Sequence, residues 1–126
     1  MAEKLLVILF NDSDPVLSRV AKMKFKNEAG IDLIITGDYD TVIQAFNLST
    51  PKLLISEILL NDDKDRTGFD LIRAVRVDNK DTIIVILTEL GQEEDKQKAL
   101  NLGANYYYVK TEISVTEFIK KIKELL

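Results

Sequence analysis

The sequence lacks several residue types on which most catalytic and metal sites depend. Its 126 residues include no cysteine, no histidine and no tryptophan, and only two prolines. Without cysteine, the chain cannot form a disulfide, use a thiolate nucleophile or build a cysteine-based zinc site. Without histidine, it has no imidazole for acid–base catalysis, which excludes most hydrolase mechanisms, and it cannot carry a phosphohistidine. These absences favour a protein that is not an enzyme.

The sequence also lacks a long apolar run and an excess of basic residues. No stretch approaches the roughly 18 apolar residues of a membrane-spanning helix, and the N-terminus has no signal-peptide pattern. We therefore expect a cytoplasmic protein with no membrane partner. Seventeen basic and 21 acidic side chains give a net charge of −4, which argues against binding of nucleic acid. The length predicts one domain, residues 1–126.

Short apolar segments alternate with amphipathic segments along the chain. The apolar segments predict strands, and the amphipathic segments predict helices with one buried face. Such alternation is typical of an α/β fold, with one doubly wound, five-stranded parallel sheet and five helices, as in flavodoxin-like proteins. The predicted strands cover residues 4–10, 31–36, 51–60, 82–88 and 105–110, and the predicted helices begin near residues 15, 40, 69, 92 and 114.

The first and last helices have recognisable ends in the sequence. Asp14 is a good N-cap, and Pro15 is suited to the first helical position because its missing N–H is not needed there. Gly30 is predicted to close this first helix. Ser114, with Glu117 three residues later, predicts a capping box at the start of the last helix.

Polar side chains stand at the ends of four predicted strands. Asp12 and Ser13 follow the first strand, and Glu57, Thr88 and Lys110 end the third, fourth and fifth strands. The carboxyl ends of parallel strands lie at one edge of the sheet, where open α/β folds bind their ligands. We therefore expect these side chains to converge. Such a cluster suits a hydrated Mg²⁺ ion, and it equally suits an ion pair of Lys110 with Glu57 or Asp12.

Other kinds of site are less well supported by the sequence. The first strand–helix turn contains no glycine and no Walker-type loop occurs, which excludes these nucleotide-binding motifs. The acidic loop 61–67 resembles a calcium loop, but Arg66 stands where glycine is required and Ile72 where glutamate is required. We interpret this loop as solvated acid. We interpret the tyrosines at 106–108 as packing and partner contacts rather than a platform for bases, because the protein is acidic.

The order of these motifs resembles the receiver domain of bacterial two-component response regulators. An acidic turn and an apolar strand ending in an acid precede Gly-Phe-Asp-Leu-Ile-Arg, Ile-Leu-Thr and Gly-Ala-Asn-Tyr-Tyr-Tyr-Val-Lys. The resemblance covers residues 4–126 and implies a CheY-like fold with a role in phosphorelay signal transduction. In this family a histidine kinase transfers a phosphoryl group to an aspartate, with Mg²⁺ held by that aspartate and an acid pair.

The sequence departs from the family pattern at the phosphoacceptor position. The resemblance places Glu57 there instead of an aspartate. The acid pair becomes Asp12 and Ser13, or Asn11 and Asp12 in an alternative register, so only one acid remains in either case. Thr88 corresponds to the hydroxyl that contacts the phosphoryl oxygens in the family.

The remaining positions of the family pattern are partly kept. The resemblance makes Lys110 the second phosphoryl contact and Tyr107 the aromatic switch residue. Thr111 replaces the proline that usually follows the lysine, so we expect a trans peptide bond at that point. The loop before Gly68 is longer than is usual in the family.

These substitutions predict a degenerate receiver domain, or pseudo-receiver, whose conformation does not depend on phosphorylation. Glu57 extends its carboxylate further than an aspartate, so Thr88 and Lys110 can hold it through charge-assisted hydrogen bonds. The loss of one acid predicts weak or absent Mg²⁺ binding at Asp12 and Glu57, and therefore no firmly bound cofactor. Two alternatives stay open: an inert binding scaffold, and a working Mg²⁺-dependent phosphoacceptor that uses Asp12 or Glu57.

The resemblance also implies where partners bind. Its usual output surface is formed by the fourth helix, the fifth strand and the fifth helix, which here includes residues 92–102 and Tyr107. A histidine kinase is a second implied partner, and a homodimer through the same face stays open. The fourth helix is the least apolar of the five, so we expect it to be the easiest to shift. No output domain follows Leu126, which predicts either a stand-alone protein or a fragment.

Overall fold

A computed structural model describes residues 6–126 of the chain. Five strands and five helices alternate within this range, as the sequence predicts. Lys4 and Leu5, which the prediction assigns to the first strand, lie outside the described residues. The strands are β1 (Leu6–Asn11), β2 (Ile31–Thr36), β3 (Leu53–Ser56), β4 (Ile83–Thr88) and β5 (Tyr106–Val109), and the helices are α1 (Pro15–Phe25), α2 (Tyr39–Leu48), α3 (Gly68–Asp78), α4 (Glu93–Leu102) and α5 (Val115–Glu124).

The five strands form one parallel sheet in the order β2-β1-β3-β4-β5. This order confirms the predicted doubly wound α/β fold. The chain runs outward from β1 to β2 and then returns to β3 on the other side of β1, so the strand order reverses between β1 and β3. The register pairs Asn11 with Thr36 and Ser56, and Thr88 with Val109, which brings the carboxyl ends of the strands to one edge.

Two apolar layers hold the helices against the sheet. Helices α1 and α5 pack on one face through residues such as Phe25 and Phe118. Helices α2 and α3 pack on the other face through residues such as Val42 and Leu71, and α4 joins them there through Ala99. Strands β3 and β4 and the second half of β1 are buried almost throughout, which explains their nearly continuous apolar sequences. The core therefore fixes the three central strands, whose ends carry site residues.

Asp14 starts α1 as predicted. Its carboxylate accepts hydrogen bonds from two backbone N–H groups of the first turn, at 2.9 and 3.4 Å, and Pro15 is the first helical residue. The prediction that Gly30 closes this helix is wrong, because α1 ends at Phe25. Phe25 is the last α1 side chain in the core, and the exposed residues after it have no apolar surface to cover. Gly30, with a φ of 83°, instead turns the chain into β2.

The third strand is shorter than the predicted segment 51–60. It ends at Ser56, so Glu57 lies just beyond the strand. The strand ends there because the Glu57 carboxylate accepts hydrogen bonds from the N–H groups of Ile58 and Leu59. A side chain that binds the next two backbone groups keeps them from continuing the strand.

Of two local predictions near the C-terminal end, one agrees with the structure in part and the other agrees fully. The Ser114 hydroxyl accepts a hydrogen bond from the N–H of Glu117 at 3.1 Å, which is one of the two bonds of a capping box. The bond between Lys110 and Thr111 is trans, since no cis peptide bond occurs among the described residues. None of the helices within residues 6–126 has the length and apolar character needed to cross a membrane.

Candidate functional site

Four of the predicted site residues meet at the carboxyl edge of the sheet. Thr88 is the last residue of β4, and Asp12, Glu57 and Lys110 directly follow β1, β3 and β5. Thr88 is fully buried, and Asp12 and Glu57 are each 7% exposed. Ser13, the fifth residue predicted for this edge, is exposed. The site is therefore built from two carboxylates, one hydroxyl and one ammonium.

The carboxylate of Glu57 meets donors at both of its oxygens. Oε1 accepts hydrogen bonds from the Thr88 hydroxyl, from the N–H of Ile58 at 2.8 Å and from the N–H of Leu59 at 3.3 Å. Oε2 lies 2.9 Å from the Nζ atom of Lys110. Contacts in which one partner is ionised are among the stronger hydrogen bonds in proteins. The glutamate is therefore held in one position by the hydroxyl and the ammonium that the sequence places nearby.

Lys110 joins the two carboxylates of the site. Its Nζ atom lies 2.9 Å from Oδ2 of Asp12 and 2.9 Å from Oε2 of Glu57, so both of the predicted ion pairs are present. Burial alone would lower the pKa of Lys110, but its hydrogen bonds to Glu57 and Asp12 outweigh burial and raise this pKa. The ammonium therefore remains charged and offsets one of the two negative charges.

A second buried polar group lies beside the site, and the sequence did not predict it. Asn11 donates through Nδ2 to the Ser56 hydroxyl oxygen at 3.2 Å, and the Thr36 hydroxyl donates to Oδ1 of Asn11 at 3.0 Å. Each of the three is the last residue of its strand. A polar residue at the end of an apolar run is the sequence signal from which they could have been predicted. Asn11 takes part in this group. Asp12 is therefore the one acid that remains at the site in both registers considered for the acid pair.

Tyr107 is connected to the site through the backbone of Leu90. The Tyr107 hydroxyl donates to the carbonyl oxygen of Leu90 at 2.7 Å, and the N–H of Leu90 donates to the Thr88 hydroxyl oxygen at 3.3 Å. Burial, together with the negative charges of Asp95 and Glu57, raises the pKa of Tyr107 to about 12. The phenol therefore keeps its proton and remains a donor. Thr88 thus contacts Glu57 and also the segment that holds Tyr107.

The two carboxylates that could hold a magnesium ion are paired with Lys110 in this structure. Mg²⁺ prefers six oxygen ligands in an octahedron, with one or two carboxylates and several waters. Residues 6–126 contain no cluster of three or more Asp, Glu, His or Cys side chains suited to a metal ion. Asp12 and Glu57 already share the ammonium of Lys110. A divalent cation between these carboxylates would have to displace that ammonium.

Arg66 ties the loop 61–67 to α2. Its guanidinium makes two hydrogen bonds to Asp40, both 3.0 Å long, and two to Asp62, of 2.9 and 2.8 Å. It also lies 4.1 Å from the ring centre of Tyr39. The hydrogen bonds to Arg66 lower the pKa values of Asp40 and Asp62. The interpretation of this loop as solvated acid is therefore wrong for Asp62, because Arg66 turns back and covers it, leaving its side chain 5% exposed.

Comparison with known proteins identifies the family. The family model of the response regulator receiver domain matches residues 7–123. The transcriptional regulatory protein CusR of Escherichia coli (strain K12) is 36% identical over 97 residues, which are 77% of this chain and 36% of CusR. The phosphate regulon transcriptional regulatory protein PhoB of the same strain is 27% identical, across 100% of this chain and 52% of PhoB. The chain thus spans about a third to a half of the length of these relatives.

Solved structures show the same architecture. The receiver domain of the Francisella response regulator 1452 superposes with a TM-score of 0.79 at 25% identity, with 95% of each chain covered. The signal receiver domain of an HD domain-containing protein from Pseudomonas fluorescens Pf-5 gives a TM-score of 0.82 at 20% identity, with 100% of this chain and 90% of the other covered. The fold is that of a CheY-like receiver domain. The chain belongs to the response regulator receiver domain family of two-component signalling systems.

Proposed function

We propose that this receiver domain acts without phosphorylation, as a pseudo-receiver that works through protein contacts. The observation that carries the proposal is the position of the Glu57 carboxylate, which Thr88 and Lys110 hold. By resemblance to the family, these two residues contact the phosphoryl oxygens in an ordinary receiver domain. Glu57 therefore takes the place of the phosphoryl group and keeps Thr88 and Lys110 in the arrangement that phosphorylation produces elsewhere in the family.

The chemistry of phosphoryl transfer supports the same proposal. An acceptor carboxylate must present a free oxygen to the phosphorus atom, and catalysis depends on a divalent cation that neutralises the developing charge. Both oxygens of Glu57 are engaged by donors, and the cation position between Glu57 and Asp12 is taken by Lys110. The site is therefore arranged to keep one stable state without phosphoryl transfer. Receiver domains in general are signalling domains rather than enzymes, and we assign no catalytic residue.

We place the partner contact on the face formed by α4, β5 and α5. Tyr106 on β5 is 41% exposed, and α4 buries only Ala99 fully, so this helix is weakly packed. A weakly packed helix changes position at a low cost in free energy. The proposed module is one cytoplasmic domain, residues 1–126, that binds protein rather than nucleic acid. An upstream histidine kinase and a homodimer through the same face are both compatible with it.

The first test is intact mass spectrometry after incubation with acetyl phosphate and Mg²⁺. We expect no added phosphoryl mass on the wild-type protein, because no carboxylate oxygen of Glu57 is free to attack. The untreated protein is the control for adventitious modification. A phosphoryl adduct that maps to Asp12 or Glu57 would overturn the proposal.

A second test asks whether Glu57 occupies an oxyanion site. Glu57→Ala removes the carboxylate, which leaves the Thr88 hydroxyl and the Ile58 N–H without this acceptor and leaves Lys110 paired with Asp12 alone. We expect inorganic phosphate or acetate to raise the thermal stability of this variant, because either anion can fill the vacated position. Glu89→Ala, at an exposed glutamate close in sequence to Thr88, is the matched control and should gain no more than the wild type. An equal response of both variants would contradict the mimicry.

The alternative function is a Mg²⁺-dependent phosphoacceptor that uses Asp12 or Glu57. One observation favours it, since both carboxylates contact the same Nζ atom and therefore lie within reach of one cation. The mass measurement separates the two functions, because only the alternative yields a phosphoryl adduct.

A further inference from the structure

An open groove lies between the end of α1 and β2. It is near the amino ends of the strands, on the opposite edge of the sheet from the candidate site, and its volume is about 360 Å³. Lys22 and Lys26 line it together with four apolar side chains. Those apolar side chains are Met23, Phe25, Ile31 and Leu33. The groove therefore combines an apolar floor with two positive charges, and Met23 leaves 67% of its surface exposed there.

Within residues 6–126, no strand pairs with the outer side of β2, which runs along this groove. Strand β2 is at the end of the sheet and pairs only with β1 among the described strands. The N–H groups of Leu6 and Asp12 donate to the carbonyl groups of Gly30 and Thr36. Because backbone groups alternate in direction along a strand, the even-numbered residues of β2 face β1 and the odd-numbered residues face outward. The outward residues include Ile31 and Leu33, whose side chains also line the groove.

Helix α1 gives this region a local positive charge. Arg19, Lys22 and Lys24 are its charged residues, Lys26 follows it directly, and α1 contains no acidic residue. None of these four cations belongs to an ion pair with another residue in the range 6–126. Lys22 and Lys26 are four positions apart, so their like charges repel along the helix. In a chain of net charge −4, this cluster favours an acidic partner.

We propose that this groove binds an extended acidic segment of a partner protein, which adds to β2 as a further strand. The backbone of the segment pairs with the outward N–H and C=O groups of Ile31 and Leu33. One apolar side chain of the segment enters the groove, and flanking carboxylates pair with Lys22 and Lys26. In strand addition of this kind, backbone hydrogen bonds give affinity and alternate side chains give selectivity.

Charge and shape favour a peptide over an anionic membrane as the occupant. The negative surface of a bilayer attracts clusters of basic residues, but it repels a protein whose net charge is −4. The free edge of β2 offers a regular row of donors and acceptors, which a peptide backbone matches and a lipid headgroup layer does not. The groove borders β2, at the opposite end of the sheet from β5.

The test is fluorescence anisotropy with a labelled peptide of sequence Thr-Asp-Thr-Leu-Thr-Glu-Thr. In an extended peptide its Asp, Leu and Glu side chains share one face, as the proposal requires. We expect saturable binding, and we expect the double variant Lys22→Glu and Lys26→Glu to weaken it by about tenfold or more. Lys64→Glu with Lys80→Glu makes the same change in net charge at exposed positions outside both proposed surfaces, and should bind the peptide like the wild type.

Methylated peptides test whether the contact is a strand addition. N-methylation of one alternate set of amides should abolish binding, while N-methylation of the other set should leave it intact, because only one set faces β2. Equal tolerance of both sets would overturn the proposal, and so would equal weakening by the two charge variants. Binding to phosphatidylglycerol vesicles without binding to the peptide would also overturn it and assign the groove to lipid.

Discussion

At the scale of single residues, one ammonium controls the charge of the candidate site. Lys110→Met keeps most of the length of the side chain and removes its charge. Asp12 and Glu57, each 7% exposed, would then lose their common cation. Breaking a buried ion pair from one side leaves an uncompensated charge, so we expect the free energy of unfolding to fall by about 3 kcal/mol. Urea denaturation measures this change.

The control for this substitution is Lys96→Met, at an exposed position on α4. Such a surface change should alter the free energy of unfolding by no more than about 0.5 kcal/mol. If both variants lost the same stability, the two ion pairs of Lys110 would not contribute to the folded state.

Tyr107 makes the free energy of unfolding depend on pH in the alkaline range. Its pKa is raised to about 12 by burial and by the charges of Asp95 and Glu57. Since this value is above the ordinary tyrosine pKa of about 10, the folded state holds the phenol proton more tightly than the unfolded chain. The resulting stabilisation is complete below about pH 10 and is lost as the pH rises from about 10 to about 12. Tyrosinate absorbance followed against pH should show one late-titrating group.

Two tyrosine variants identify that group. Tyr107→Phe should remove the late phase, whereas Tyr106→Phe, on the same strand and 41% exposed, should keep it. A late phase that survives in Tyr107→Phe would place the raised pKa on another of the four tyrosines.

The main site residues could be predicted from the sequence because each stands at the end of an apolar run. In a parallel sheet the topology alone brings such positions together. Their convergence could therefore be predicted without any distances for Asp12, Glu57, Thr88 and Lys110. The backbone donors to Glu57 could not be predicted, since they depend on how the chain turns after β3. The network of Asn11 was missed for a similar reason, because hydrogen bonds between strand ends depend on the register.

At the scale of elements, the start of α3 packs closely against the segment that follows β3. Gly68 lies so near that a Cβ atom on it would be 2.5 Å from the carbonyl oxygen of Glu57 and 2.8 Å from Cα of Ile58. Backbone atoms cannot move aside as a flexible side chain does. Gly68→Ala should therefore displace the loop that carries Glu57 and reduce the free energy of unfolding by about 1–3 kcal/mol, as measured by urea denaturation.

Gly91→Ala is the matched control for this substitution. A Cβ atom on Gly91 would meet only a side-chain carbon of Val109, at an ordinary contact distance of 3.6 Å. We expect Gly91→Ala to be neutral or to stabilise the protein by less than about 1 kcal/mol, through the reduced freedom of the unfolded chain. A neutral Gly68→Ala would show that α3 can move away from β3 without loss.

Element types were easier to predict than their ends and their connections. Apolar periodicity identified every helix and strand, because burial on one or both faces is imposed by the core. The end of α1 was misplaced because Gly30 belongs to the turn before β2, and a glycine alone does not show which element it serves. The Arg66 contacts were not predicted either, since they join a loop to a helix that is distant in the sequence.

At the scale of the whole molecule, Mg²⁺ should have little effect on stability. A ligand stabilises the folded state according to the ratio of its concentration to its dissociation constant, and a concentration equal to that constant adds only about 0.4 kcal/mol. Because Lys110 already contacts both carboxylates, we expect the melting temperature to be nearly the same in Mg²⁺ and in EDTA. A large rise in melting temperature with Mg²⁺ would favour the phosphoacceptor alternative.

The fold class was predictable because regular alternation of strands and helices leaves few topologies. Right-handed crossovers and covered parallel strands reduce them to the doubly wound arrangement. The order of the strands in the sheet is harder to predict from the sequence, since the apolar pattern of β1 does not show that this strand pairs with both β2 and β3. That order matters for the site, because it makes Asp12 and Glu57 neighbours.

The fixed carboxylate of Glu57 has a consequence for how such a protein would be regulated. An acyl phosphate has a limited lifetime, and its hydrolysis returns an ordinary receiver domain to rest. A side-chain carboxylate does not hydrolyse in this way, so under the proposed function a domain held by Glu57 would stay in one state from synthesis to degradation. The strength of its signal would then be set by copy number, and therefore by the rates of gene expression and proteolysis.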